Sequence, residues 1–513
     1  MSAKIISKNP ATGETLRELD ATPLETLPAL FAQARAAQAV WAATPTKKRA
    51  LALLNLRETV INQADAIAEL LSKENGKPRF EALSNEIFPV VDSLTYFGNK
   101  GAAMLRDRPI KLALMKHRKS YLQYWPLGVV SIISPWNYPF LLPFGEIITA
   151  LLAGNAIIFK PSEYTPLIGL KIQELLGNSG FPPHIMQTVI GDGAAGAAII
   201  QQKPAKVFFT GSVSTGKKIM AQAAQQLIPV NLELGGKDPM IVLPDANLEY
   251  ASSAALWGSF SNSGQVCAST ERILVHESIS DVFLAKLKLK AEKLRPGIDL
   301  GSITMDKQKL VYEDHLQDAR NKGAEVVLGG EFSQNHTALS PTIVAGSSIE
   351  DTKIYNEETF GPTVAVTTYR TVAEAIQKAN QSAYGLTASV ITGNIGLGEE
   401  VARQIEAGTV IVNEVTYTAG LGETPWGGVK DSGFGRSHSE MGLLEFVNVR
   451  HIHKPRSKLF VFKALWWFPY TPFQYEMFKQ LLGVYRRSWV DKLRALSHLL
   501  WNFVQFVKNE KRL

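Results

Sequence analysis

From Leu24 to about Leu83, alanine, leucine and charged residues recur at three-to-four spacing, as in ARAAQAVWAA and KKRALALLNLRETVINQADAIAELLSKENG. That period predicts helices with one buried face. The segment before it, to about Pro23, carries the turn NPATGE and predicts short strands and turns. Ser120 to Val130 is aromatic and branched and predicts extended chain. Apolar runs then alternate with helical patterns. GVVSIIS, NAIIFKPS, MQTVIG and AKVFFTG predict strands, and LLPFGEIITALLAG, GLKIQELLGNSG, GAAGAAIIQQ and STGKKIMAQAAQQ predict the helices that follow them. Alternation at this spacing implies parallel strands joined by crossover helices. A second alternation runs from about Gly235 to Ser432, with ERILVHE and AVTTY as strands and DVFLAKLKLKAEKL as a helix. The fold class is α/β and doubly wound.

At 513 residues the chain is too long for one core and suits two or three domains. It is 45% hydrophobic and 20% charged, as globular chains are. The single cysteine rules out an internal disulfide. The opening MSAKIISKNP lacks the apolar core of a signal peptide, and no run approaches the roughly 18 apolar residues of a membrane span. A cytoplasmic location is expected. The net charge of +7 is uneven: Lys454 to Leu513 holds twelve Lys or Arg against three Asp or Glu, so the preceding 453 residues carry −2. A nucleic-acid enzyme would spread basic residues over its body, so no nucleic-acid partner is expected.

Five groups of segments have chemical potential. FTGSVSTGK, Phe209 to Lys217, takes a strand through Gly211-Ser212 to a helix opened near Gly216; such a turn offers free N–H groups to a phosphate, or is only a turn. SGQVCAST places Cys267 in a small, polar stretch suited to a loop thiol, where an ionised sulfur could act as nucleophile. A lone cysteine is otherwise a small hydrophobe. ELGGKDP sets Glu233 at the end of an apolar-polar run, as a general base for water or as a strand-end carboxylate. SPWNYP fixes Asn137 between two prolines, where its amide could donate to an oxyanion. EETFGP and PWGGVKDSGFGR are Gly- and aromatic-rich loops. No HExxH or Cys-rich cluster is present, and no metal is expected.

Taken together, PWN, KPSE, FTGSxxTG, ELGGK, GQxC, EExFGP and PWGGxKxSGxGR resemble the aldehyde dehydrogenase superfamily in order and spacing, over roughly Asn9 to Val449. The resemblance implies a Rossmann-like cofactor domain (1–107 and 127–235), an α/β catalytic domain (236–445), a small β oligomerisation arm (108–126 and 446–457) and, beyond the family's usual end, a helical extension (458–513). It implies that Cys267 attacks an aldehyde as a thiohemiacetal, that Asn137 and the Cys267 N–H hold the oxyanion, and that hydride leaves for the nicotinamide. Glu233 would then activate water on the thioester, which favours a free acid over a CoA ester. For the cofactor it implies Lys160 and Glu163 at the adenine ribose, Gly211, Ser212 and Gly216 with Trp136 near the pyrophosphate, and Glu358 with Phe360 at the nicotinamide ribose. Glu163 would repel a 2′-phosphate, so NAD is favoured, with NADP possible. A homodimer or homotetramer is implied.

Two departures stand out. Glu146 occupies a position where many members carry lysine, and Asn448 lies near one where many carry glutamate, which is consistent with an exchanged pair. Gly145 falls where several members place a bulky aromatic and is expected to widen the entrance of a channel lined by Tyr138, Leu142, Val266 and Trp426. A long-chain or bulky apolar aldehyde fits such a channel, and no arginine pair is evident for a carboxylate. CoA-acylating or semialdehyde-oxidising relatives, and a non-catalytic membrane-associated scaffold, are the alternatives. The tail from Lys454 holds 14 of the 46 aromatics, and Trp489, Leu493, Leu496, Leu500, Val504 and Val507 share one helical face amid basic residues. It is expected either to lie on a membrane surface, at a cytoplasmic inner face, or to pack on protein.

Overall fold

The computed structural model describes residues 4–332, 338–461, 464 and 466–510, with side chains on the last helix described through 502 and at 504. Val507, placed above on the apolar face, therefore lies outside the described side chains. Contacts divide the chain into one unit of Met1–Asp107 with Gln123–Arg450 and another of Arg108–Leu122 with His451–Leu513.

In the first unit, helices Leu27–Ala43, Thr46–Asn62 and Ala64–Asn75 fulfil the periodicity read from the sequence. They bury Phe31, Trp41, Leu53, Leu56 and Leu71 in the same core as the strands Val129–Ile133 and Ala156–Lys160. Both strands are buried at all five positions, so they read as unbroken apolar runs rather than alternating ones. The intervening helix Leu141–Ala153 is buried at every residue except Leu142, and Gly154 ends it at φ +95°, a conformation that costs glycine nothing.

The first sheet has the order Gly433–Phe434, Val230–Glu233, Val207–Thr210, Val129–Ile133, Ala156–Lys160, Met186–Thr188. The last five are parallel, and only the two-residue edge strand runs against them. The second sheet orders Glu325–Leu328, Thr342–Ala345, Thr363–Tyr369, Thr270–His276, Asp238–Val242, Thr387–Ile391 and Thr409–Val412, parallel except at Glu325–Leu328. Four residues, Leu234 to Lys237, carry the chain from the last strand of one sheet into the first of the other.

A buried ion pair anchors the loop after Val129–Ile133. Lys77 Nζ lies 2.6 Å from Glu86 Oε1, with both side chains fully shielded. Glu86 Oε2 accepts from the backbone N–H groups of Phe140 and Leu141 at 2.8 and 3.1 Å, satisfying donors at the start of the Leu141–Ala153 helix. Lys77 also donates to the Asn137 carbonyl at 2.9 Å and sits 4.0 Å over the Tyr138 ring.

In the second unit, helices Pro472–Gly483 and Trp489–Glu510 form a hairpin. Asn502 donates to Gln480 at 3.0 Å, and Gly483 leaves room for Ala495, whose Cβ would lie 2.8 Å from an added methyl. The small sheet orders Val447–Pro455, Arg118–Pro126 and Arg108–Ile110. Among the described residues, no helix is long and apolar enough to cross a membrane.

Replacing Lys77 by methionine leaves Glu86 buried without its cation. We expect a loss of about 3–5 kcal/mol, read as a lower urea midpoint, with much of it regained in the Lys77→Met, Glu86→Gln double variant.

Candidate active site

Three neighbouring parallel strands of the first sheet, Val129–Ile133, Val207–Thr210 and Val230–Glu233, end at the same edge. Carboxyl ends of such strands are where open α/β sheets bind ligands. Here they deliver the Ser134–Pro139 loop, Gly211-Ser212, and Glu233 itself. From the other side, Cys267 precedes the strand Thr270–His276, whose first residue pairs with Asp238 just after the crossover. The thiol, the carboxylate and the amide singled out in the sequence thus converge from separate stretches.

Two cavities meet there. One, of about 270 Å³, is lined by Tyr138, Leu142, Trp257, Val266 and Trp426 among others; the second, of about 220 Å³, is lined by Trp136, Asn137, Gly211, Ser212, Glu358 and Phe360. Cys267 and Glu233 line both.

The loop carrying Cys267 is bent through three left-handed residues, Asn262, Ser263 and Gly264 at φ 49°, 55° and 69°. Hydrogen bonds hold this uncommon path. Asn262 Nδ2 donates to the carbonyls of Asn137 (3.0 Å) and Gln265 (3.1 Å), Ser263 Oγ to Gly301 (2.9 Å), and Gln265 Nε2 to Asn262 (3.1 Å). Asn137 Nδ2 donates to Gln265 at 3.0 Å, which fixes the amide plane and leaves its second N–H available. Burial raises the Cys267 thiol well above its ordinary range, and the carboxylates of Glu358, Asp238 and Glu233 push the same way. Glu233 is also raised well above the usual carboxyl range, first by burial and then by Glu146, with Arg436 opposing. Among the described residues, neither Glu233 oxygen has a hydrogen-bond partner.

On the second cavity, Ser212 caps the helix Val213–Ala224, its Oγ accepting from Thr215 N–H at 3.4 Å. The helix N-terminus therefore faces the cavity wall formed by Gly211 and Ser212. Trp136 and Phe360 meet edge to face at 5.5 Å. Glu358 Oε1 accepts from Gly236 N–H at 3.0 Å, and burial raises its carboxyl to about 8. Its loop is held by Glu271, which accepts from the N–H groups of Thr359 (3.0 Å) and Phe360 (3.2 Å) and pairs with buried Lys237. Lys160 and Glu163 form a pair of their own at 3.4 Å beyond the strand Ala156–Lys160, off this wall. Gly216 lies within its helix against Leu234, where a Cβ would come to 2.7 Å of the leucine; it serves helix–sheet packing and does not line the cavity.

A profile of the aldehyde dehydrogenase family matches residues 1–452. The chain belongs to this family. A Methylomonas protein named 4,4'-diapolycopene aldehyde oxidase is 38% identical over 484 residues, covering 93% of this chain and 90% of that one. A Mycolicibacterium smegmatis protein provisionally named an NADP(+) succinate-semialdehyde dehydrogenase is 36% identical over 455 residues, 87% of each chain. Among solved structures, an NAD+ complex of a Bacillus cereus aldehyde dehydrogenase superposes with a TM-score of 0.85 at 33% identity, covering 89% of this chain and 94% of that one.

Two expectations about this aldehyde dehydrogenase are corrected by the packing. Glu146 and Asn448 are not a pair. Asn448 is exposed and donates to the Pro126 carbonyl at 3.3 Å, whereas buried Glu146 accepts from the Ser437 hydroxyl. Gly145 does not widen the channel, because the His438 ring fills the space: its Nε2 would lie 2.8 Å from an added Cβ. His438 reaches that place with a backbone at φ 58°, ψ 178°, a region that only glycine visits readily. Sequence reading also passed over Lys77, Glu86, Asn262, Glu271 and Ser437, polar residues whose partners lie far away along the chain. Among the described residues no group of three or more His, Cys, Asp or Glu could hold a metal ion.

With its thiol held protonated, cofactor-free Cys267 should react slowly with iodoacetamide at pH 7. The rate should climb roughly tenfold per pH unit through pH 9, as the thiolate fraction grows. Peptide mapping of the alkylated chain checks this; a rate flat above pH 7 would contradict it.

Proposed function

We propose that this aldehyde dehydrogenase oxidises a long, apolar aldehyde to its carboxylic acid through acyl chemistry on Cys267. The carrying observation is that one sulfur and one carboxylate line two cavities at once, so a substrate in the first and a cofactor in the second would meet at the thiol. Cys267 attacks the carbonyl carbon, and the free N–H of the Asn137 amide together with the Cys267 backbone N–H receives the oxyanion. Glu233, with both oxygens unengaged, then takes a proton from the water that releases the acyl group.

The second cavity fits a nicotinamide dinucleotide. A helix N-terminus suits the pyrophosphate, buried Glu358 suits ribose hydroxyls, and Trp136 with Phe360 borders a flat ring. Lys160 and Glu163 would hold the adenosine end, Glu163 favouring NAD over NADP. When bound, that group supplies the hydride acceptor. In this reading residues 1–107 and 127–235 form the cofactor domain and 236–445 the catalytic domain. The strands in 108–126 and 446–457 pair subunits into a dimer or tetramer.

Wall chemistry argues the substrate class. The charged side chains on the first cavity are Asp92, Glu146 and Glu233, all acidic, and no lysine or arginine is among its lining residues. A semialdehyde's own carboxylate would leave water and find no counter-charge there. Phe88, Trp257 and Tyr417, also on that wall, are 68%, 42% and 49% exposed, which extends the apolar surface outward. The polyene aldehyde in the Methylomonas relative's name belongs to the class such a wall accepts.

The tail supports a further part of this reading: residues 458–513 rest on an anionic membrane surface. On Trp489–Glu510, Trp489, Leu493, Leu496, Leu500 and Val504 share one face and are 44–77% exposed, while Ala495 and Asn502 serve the hairpin. Arg486 and Arg487 precede that helix, and Lys492 and Arg494 lie in its first two turns. Apolar, aromatic and basic groups so arranged match a lipid interface.

Along a series from propanal to decanal, kcat/KM should rise about three- to fourfold per methylene, at about 0.8 kcal/mol for each CH2 buried. NADH formation should be indifferent to CoA, and succinic semialdehyde should be a poor substrate. A preference for succinic semialdehyde would overturn the substrate class, and a need for CoA the hydrolytic route. In flotation, the full chain should rise with phosphatidylglycerol vesicles, sink with phosphatidylcholine ones, and lose binding on deletion of 457–513. Retention by the deleted chain, or burial of the face in a salt-resistant oligomer, would refute the membrane assignment.

A further inference from the structure

The helix Leu141–Ala153 contributes Leu141, Leu142 and Glu146 to the first cavity, but Gly145 does not line it. The His438 ring stands between them. A Cβ on Gly145 would lie 2.8 Å from His438 Nε2 and 3.2 Å from Cδ2, and among the described residues nothing else outside that helix comes within 4 Å of it. His438 itself lines the cavity, with Ser437 beside it. The width of the channel at this level is therefore set by a residue from a distant loop and not by the helix.

The backbone places that ring. His438 has φ 58° and ψ 178°, and Ser439 follows at φ 53°. Residues with a side chain do not take such a path freely, so its surroundings must hold it. Ser437 and Trp426 exchange backbone hydrogen bonds at 2.8 and 2.9 Å. Ser439 N–H donates to the Gly422 carbonyl at 2.8 Å, and Gly442 N–H to the His438 carbonyl at 2.7 Å. The ring gains no hydrogen bond through Nδ1, which is buried without a partner. Burial lowers its pKa to about 4, so it is neutral. A strained backbone that turns a neutral ring, with Nδ1 unbonded, into an apolar channel acts through the space the ring takes.

Its level along the channel follows from the helix. Leu142 lines both cavities, as Cys267 and Glu233 do. Gly145 lies three residues further on the same face, about 4.5 Å along the axis at about 1.5 Å per residue. The ring that covers it therefore borders the first few acyl carbons of an aldehyde held at Cys267. We propose that His438 selects acyl shape. It admits chains one carbon thick beside the carbonyl, straight or flat and conjugated, and turns away saturated rings and quaternary carbons attached there. This rests on the oxidation of apolar aldehydes at Cys267 proposed above, and it specifies which of them are taken. Bulk that a side chain at position 145 could supply comes instead from a loop, where it can change without disturbing the helix.

The deciding quantity is the ratio of kcat/KM for heptanal to kcat/KM for cyclohexanecarbaldehyde, two aldehydes of equal carbon number, with NAD and the full chain. The parent should favour heptanal by about tenfold or more, the scale of a steric mismatch in an apolar pocket. His438→Gly, at a backbone conformation that suits glycine, should bring the ratio to within about threefold of unity. His438→Phe keeps the bulk and should keep the ratio. Gly145→Ala, whose methyl would press the ring toward the channel, should raise it. Adding Gly145→Phe to His438→Gly restores bulk from the helix and should restore the preference. Packing damage alone would slow both aldehydes alike and leave the ratio unmoved. The proposal is overturned if His438→Gly leaves the parental ratio. It is overturned equally if His438→Phe lowers the ratio as far as glycine does, which would give the selection to the ring nitrogens. Should His438→Gly not fold, an unchanged ratio in Gly145→Ala overturns it alone. Failure of the parent to oxidise either aldehyde would instead strike the Cys267 reading.

Discussion

The arrangement at the candidate site depends on one shielded ion pair. Lys77 and Glu86 neutralise each other inside the first core, and both spend their remaining hydrogen-bonding capacity on the backbone from Asn137 to Leu141. A buried pair of this kind is weak as a source of stability, because desolvation offsets its attraction. Its value here is geometric. It specifies where a loop between strand and helix stops, and Asn137 sits on that loop. Asn262 donates to the same Asn137 carbonyl from the cysteine side, so the amide and the thiol are referenced to a common atom.

The two sheets contribute opposite halves. The first presents strand ends; the second presents the approach to a strand. Leu234 to Lys237 joins them and keeps Glu233 and the Cys267 loop within reach of one cavity pair. Glu271 repeats the logic of Glu86 on the side of the second cavity: a buried carboxylate, paired with Lys237, accepts two backbone N–H groups and holds the loop of Glu358 and Phe360. Charges remote from the chemistry set the backbone, and the backbone sets the groups that face the ligands.

The site itself is rich in buried acid. Glu146, Glu233 and Glu358 are all pushed upward by burial as the leading cause. A wall of carboxyls held toward their neutral form offers an anion no counter-charge and tolerates apolar groups, which links the electrostatics of the chamber to the substrate class proposed from the cavity lining.

Sequence alone determined the fold class and the family, and it singled out three groups that line the paired cavities. Hydrophobic period is local, so Val129–Ile133, Ala156–Lys160 and the helices from Leu27 onward were legible. The motifs around Asn137, Glu233 and Cys267 were legible because each is a contiguous run of residues. Tertiary structure alone decided the partners. Glu146 finds Ser437 across 291 positions, and Lys77 finds Asn137 across 60. No local pattern encodes such pairings. Gly145 illustrates the same limit: a missing side chain promised open space, and a distant His438 ring took it. Space and charge inside a core belong to whichever segments the packing brings together.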